Sequence, residues 1–196
     1  MSPAVDFRSV LAQRWNSSRS GPFFEMKVPS LIFLQKLPQD YLAVVNEFGG
    51  NEGFLGDEYL RLYRLEELAA LNIAYDVTSL LPELIVFGSN GCGEAFAFHF
   101  GEPSVIRVPF VPFVAEYANQ RSPTFTEFIR SLASSGHSQK SNPATIGLEV
   151  HEKHPICLGG DPNNPENKVL VPVAKHAELS TYWNKVYRQI RGQQVS

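Results

Sequence analysis

The apolar positions of this chain switch between two periods, and the switches predict its elements. In LPQDYLAVVNEFGG, residues 37–50, Tyr41, Val44, Val45 and Phe48 recur at i, i+3, i+4 and i+7, which places them on one helix face. Pro38 suits the first turn of that helix, Asp40 suits its positive start, and Gly49 and Gly50 supply the stop. Tyr59 to Tyr63 alternates with period two, as a half-buried strand does, and a short helix follows from about Leu65 to Leu71. The stretch PELIVFGSNGCGEAFAFHF, Pro82 to Phe100, joins two apolar runs, Leu84 to Phe87 and Ala95 to Phe100, through a glycine-rich turn, the pattern of a β-hairpin. Val105 to Phe110 is a further strand whose Pro109 marks a strand end or an edge. In SPTFTEFIRSLASSG, Thr124 and Glu127 stand at capping-box spacing, while Phe125, Phe128, Ile129 and Leu132 share a face that ends at Gly136. Val5 to Trp15 carries a weaker helical pattern, and Asn51 to Asp57 reads as a polar loop.

Ser134 to Pro143, SSGHSQKSNP, is rich in turn formers and breaks the pattern. Beyond it come a short strand from Thr145 to Val150, a Gly/Pro/Asn loop from His151 to Glu166, and a second strand from Lys168 to Val173. A helix from about Ala174 to Arg191 follows, with Leu179, Tyr182, Trp183, Val186, Tyr187 and Ile190 as its apolar stripe. The expected fold class is α+β: an antiparallel sheet flanked by helices in residues 1–136, a linker at 137–143, and a small β-β-α module in 144–196.

Composition adds bounds. A chain of 196 residues with 43% apolar and 19% charged residues has room for one ordinary domain and a small module, and can bury a core. No run approaches the length of a membrane span, and MSPAVDFRSVLAQRW lacks the pattern of a signal peptide, so a cytoplasmic protein is the default expectation. Cys92 and Cys157 stand far apart and read as free thiols. The charge is uneven: residues 1–136 hold 10 Lys/Arg against 15 Asp/Glu, a balance of −5, and residues 137–196 hold 7 against 5, a balance of +2. An acidic head is a poor phosphate binder and a natural partner for something basic.

The turn Gly88 to Gly93 invites a nucleotide reading, but its glycines lead into a strand and not into a helix N-terminus, so they serve the turn itself. Ser89, Asn90 and Glu94 in that turn, with the carboxylates Glu47, Glu52, Asp57 and Glu58, are the candidate residues for binding a protein partner. Glu66 and Glu67 add to the same negative balance, and the solitary strand histidine His99 is assigned no role. The ordered succession of LP-x-DY, an EFGG helix end, an EEL helix, PEL-x-x-FGSNG-x-GE-x-FAF and TFTEFIRSL, over about residues 20–135, resembles the SUKH superfamily. The resemblance implies an α+β fold without an active site. It also implies a cytoplasmic immunity role, in which the domain binds and neutralises a protein toxin, often a nuclease. A general protein-interaction scaffold is a further alternative.

The tail has its own resemblance. His151, Gly159-Gly160, Asn167 and His176 on a β-β-α unit are similar to the HNH, or ββα-metal, nucleases over about residues 143–196. That likeness implies metal-binding roles for His151 and His176 and a loop-fixing role for Asn167. It also brings its departures. Glu152 stands where those enzymes place the general-base histidine, His154 is displaced by two residues, and Ser180 stands where another metal ligand is expected. The expectation is therefore a non-enzyme without a cofactor, the tail being kept for packing or docking. The alternative is a divalent-metal nuclease with Glu152, His154 and Asn167 as its catalytic set.

Overall fold

A computed structural model describes residues 7–25, 31–134 and 143–194. The patterned helices form where their apolar stripes require them. After α1 (Phe7–Arg14), β1 (Asn16–Arg19) and α2 (Leu31–Gln35), the helix α3 (Gln39–Phe48) buries Tyr41, Val44, Val45 and Phe48, the i, i+3, i+4, i+7 set. Next come β2 (Asn51–Leu55), β3 (Glu58–Leu62), a 3-10 turn at Leu65–Glu67, α4 (Leu68–Ala74) and α5 (Val77–Leu80). The central hairpin is β4 (Leu84–Ser89) and β5 (Glu94–His99), followed by β6 (Ser104–Pro109), β7 (Asn119–Ser122) and α6 (Phe125–Ser134). The tail consists of β8 (Leu148–Glu152), β9 (Lys168–Pro172) and α7 (Val173–Gln194). Strands β1 to β7 form one antiparallel sheet in sequence order, and β8 pairs with β9 in a second.

One side of the large sheet packs its aromatic residues on α3 and α6. Tyr41 meets Phe125 edge-on at 5.2 Å, Phe87 stacks on Phe98 at 4.3 Å, and Phe96 meets Phe128 at 5.0 Å. Thr124 caps α6: Glu127 N donates to Thr124 Oγ1 at 3.2 Å, and the Glu127 carboxylate takes the Thr124 hydroxyl at 3.3 Å in place of the N-cap amide that a full capping box would use. Asp40 ties the two helices together, because its Oδ2 accepts from the Thr126 amide at 2.8 Å and hydroxyl at 2.9 Å. Elsewhere β3 and β4 share only a short register, Arg61 with Ser89 and Leu62 with Gly88. Beyond it Asn72 of α4 replaces a strand, accepting from Val86 N at 2.8 Å and donating to Val86 O at 2.9 Å. Gly88 is required where it stands, since a Cβ there would collide with the Arg61 carbonyl.

Three strands depart from the sequence reading. Asn51 to Asp57 is not simply a loop: its first five residues are β2, held between β1 and β3. β1 and β7, with sequences NSSR and NQRS, escape the hydrophobic pattern because both are sheet edges, held by backbone bonds with polar side chains and hence without apolar alternation. Pro109 ends β6 as expected, but β7 pairs beyond that strand, so β6 is not an edge.

The helix α7 also presents a different face from the one its apolar stripe suggests. Its buried residues are Val173, His176, Ala177, Ser180, Asn184 and Tyr187, whereas Tyr182 is 57% and Ile190 41% exposed. Hydrogen bonds set the face: Asn184 donates to Phe110 O at 2.8 Å and accepts from Phe113 N at 2.9 Å, and Thr181 Oγ1 donates to Ala74 O at 2.8 Å. Val173 and Ala177 lie in the same buried cluster as the sheet and its helices. Of the expected linker, 137–142 lie outside the described residues, as does the start of the predicted first helix at 5–6.

Arg61, fully buried, joins the two parts. Its Nε donates to Glu52 Oε2 at 2.8 Å, Nη1 to Glu149 Oε1, and Nη2 to Glu52 Oε2 and, at 2.8 Å, to the Leu148 carbonyl. Removing the cation leaves two carboxylates buried without it, so Arg61→Met is expected to lose ~3–5 kcal/mol of stability in urea unfolding. Arg107→Met, which breaks partly exposed pairs, is expected to lose ~1 kcal/mol or less. Equal losses in the two variants would mean that burial does not set the cost of breaking these pairs.

Candidate functional site

A groove of about 750 Å³ lies where the hairpin turn, β2 and β3 meet the tail. The turn that forms one wall is built on Asn90, whose Oδ1 accepts from Cys92 N at 2.9 Å and Glu94 N at 3.1 Å while its Nδ2 donates to Glu94 Oε2 at 2.6 Å. The Gly91 carbonyl then accepts from Val150 N at 3.0 Å, which fixes β8 against the turn. Phe54 and Tyr59 from the head and Leu148, Val150 and Leu170 from the tail make an apolar floor.

Asp57, Glu58 and Asn90, three of the candidate binding residues, line this groove. Glu94 stands behind it, paired with Arg107, which also donates to Glu58 Oε1 at 2.8 Å. Three of the candidates are buried, among them Asn90, whose side chain is engaged within the turn. Glu52 and Ser89 are fully buried, Glu52 on Arg61 and Tyr59, Ser89 donating to Glu149, so neither presents its charge or hydroxyl to a partner. Burial follows from their neighbours: a guanidinium neutralises Glu52, and β8 covers Ser89. Glu47 is exposed on α3 and is not among the groove's residues. Sequence reasoning missed Arg107 and Arg121, although Arg107 interrupts the apolar strand SVIRVP, the signal of a polar position facing outward.

A second cavity, about 410 Å³, lies between the same turn and the tail, and His151, His176, Glu152 and Lys168 line it. The rings of His151 on β8 and His176 on α7 stand edge to face with centroids 5.2 Å apart. Tyr75 OH is hydrogen-bonded to His176 Nδ1 at 2.9 Å, a contact from the head that no local sequence signal announces. Among the described residues, His151 Nε2 is buried without a hydrogen-bond partner. Asn167 ties the intervening loop, accepting from His154 N at 2.8 Å and donating to His154 O at 2.9 Å. Gly160 packs so closely on that same carbonyl that a Cβ would collide with it. Glu152 Oε2 accepts from Ile156 N at 3.0 Å, and the exposed His154 ring lies against Trp183 at 6.2 Å, outside the cavity lining. Among the described residues, no group of three or more His, Cys, Asp or Glu is placed to hold a metal, so for the divalent ion of the alternative reading the donors brought together here are two imidazoles.

Among known families, the model of the SMI1 / KNR4 family (SUKH-1) matches residues 33–131, just over half of the chain. The chain belongs to that family. No curated protein matches the chain. The SUKH match ends within α6, so the groove has one wall inside the matched region and the other in the tail beyond it. Domains of this family are commonly of immunity type and generally non-enzymatic. Among the described residues, no helix is long and apolar enough to cross a membrane.

Both buried imidazoles of this SUKH protein are held neutral. Burial and then His176 pull His151 down to about 4, and burial and then Arg61 pull His176 down to about 3, from an ordinary 6.5. A histidine with a lowered folded-state pKa binds its proton more readily when unfolded. Its contribution is therefore complete above pH 6.5 and is lost as pH falls toward the lowered values. Urea titrations are expected to show stability falling below pH 6.5, each histidine contributing a slope of up to ~1.4 kcal/mol per pH unit. The fall should be shallower in His176→Gln, and an unchanged slope would contradict the neutral, buried assignment.

Proposed function

We propose that this chain is an immunity-type protein of the cytoplasm that binds a nuclease toxin and neutralises it by covering its basic active surface. The observation that carries the reading is convergence: Asp57 and Glu58 at the β2–β3 turn and Asn90, more than thirty residues on in the hairpin turn, line one groove on a domain of a commonly immunity-type family. An acidic surface attracts a basic one and speeds the encounter, an effect that salt screens. Mixing the purified chain with the toxin encoded beside its gene is expected to give a complex that weakens as salt rises. Asp57→Lys is expected to slow association about tenfold without changing the urea midpoint. No complex at low salt removes this reading.

A second reading, a metal-dependent nuclease in the tail, is favoured by the approach of His151 to His176 and by the loop bonds of Asn167. It ranks second because two imidazoles do not complete a metal site, and no catalytic step follows from them. Incubation of plasmid DNA with the chain and Mg²⁺, Mn²⁺, Ni²⁺ or Zn²⁺ is expected to leave the plasmid intact. Metal-dependent cutting that His176→Ala abolishes would reverse the ranking.

A further inference from the structure

The groove is unevenly charged. Glu58 accepts from Arg107 at 2.8 Å and from Arg121 at 3.1 Å, and Glu94 is also bound to Arg107, so both cations at this wall are engaged. Asp57 is exposed and makes no ion pair among the described residues. The lining itself holds two carboxylates and two guanidiniums, and Glu94, behind it on Arg107, brings the balance of the wall to −1. Beside that wall the floor is apolar and comes from both parts of the chain. Phe54 and Tyr59 meet edge-on at 5.3 Å, and the register of β8 and β9 puts Val150 opposite Leu170, which places both side chains on one face of the small sheet. Leu148 stands two residues before Val150 and shares that face. Leu170 remains 48% exposed.

We infer that this groove is the docking site for an extended segment of a protein partner in which an apolar side chain, seated against Leu170, is flanked by a lysine or arginine that pairs with Asp57. The inference rests on the protein-binding reading and assigns it a surface. A cation complements the one carboxylate that no arginine answers among the described residues, at the margin of a floor that excludes water and so strengthens the pair. A nucleic acid fits poorly, since its phosphates would meet a net negative wall. The volume suits several side chains and not one, which favours a segment over a single anchor. It also gives the tail a function without catalysis, because Leu148, Val150 and Leu170 are three of the five apolar floor residues.

The test is to pan a random peptide library over the intact chain in a Cys157→Ser background, leaving Cys92, which lines the groove, as the cysteine reporter. Enriched peptides are expected to combine an apolar residue with Lys or Arg, and to slow alkylation of Cys92 by iodoacetamide. They should bind at least about tenfold more weakly to Leu170→Asp and to Asp57→Lys, both exposed positions where folding is preserved. Glu102→Lys, at the opposite end of the β5–β6 pair, should bind them as the wild type does. Absence of enrichment, or peptides that bind Leu170→Asp as tightly as the wild type, would overturn the inference. Self-association that Leu170→Asp abolishes would assign the groove to a second copy and overturn it equally. A toxin complex indifferent to Leu170→Asp would remove the groove while leaving the immunity reading intact.

Discussion

Arg61 sits out of solvent between Glu52, from the adjacent strand of the head, and Glu149, from the first strand of the tail, and the arrangement of both parts depends on satisfying it. A guanidinium stripped of water is costly unless its N–H groups all find acceptors. Burial alone would lower its proton affinity, but Glu149 and then Glu52 outweigh that and hold it charged. The acceptors are themselves secured: Glu52 Oε1 takes the Gly147 amide at 2.9 Å, and Glu149 takes the Ser89 hydroxyl. Such a network contributes less to net stability than to choice of geometry. A tail docked in any other register leaves the arginine and Glu52 buried without Glu149, whereas an apolar junction would tolerate sliding.

The two concavities follow from this one constraint. With Glu149 held on Arg61, alternation along β8 sends His151 to the inner side with it and Leu148 and Val150 to the outer side. The inner residues meet α7 and the head, giving the histidine cavity, and the outer ones face Phe54 and Tyr59, giving the groove. Tyr59 belongs to both the surface and the network, because its hydroxyl donates to Glu52 at 2.9 Å while its ring lines the groove. The floor of the groove is thus tied to the ion cluster beneath it. A partner that docks there meets a preformed surface and has less to order on binding.

What the chain makes legible is what local periodicity encodes. α3 and α6 bury the stripes their spacing predicts, and the hairpin β4–β5 forms around its glycine-rich turn. Edge strands β1 and β7 are illegible because a strand held only by backbone bonds needs no apolar alternation. Glu52 reads as a surface carboxylate because nothing near it announces burial: Arg61 is nine residues away and Glu149 a further 88 beyond Arg61. For the same reason the groove is only half visible in the sequence. Asp57, Glu58 and Asn90 carry a binding signal there, but Leu148 and Leu170 join them only once the tail is docked.

The polar face of α7 separates the two readings of the tail. A helix that only had to cover apolar surface would have buried its whole stripe; this one leaves Tyr182 and Ile190 exposed and buries His176, Ser180 and Asn184 beside Val173, Ala177 and Tyr187. Docking accounts for much of that choice, since Asn184 bonds to Phe110 and Phe113 and His176 to Tyr75, all in the head. It does not account for His151. Its Nε2 has no hydrogen-bond partner among the described residues and lies beside the cavity. His176 and Asn184 are thus tied to the head, whereas His151 of the same small module lines the cavity beside them.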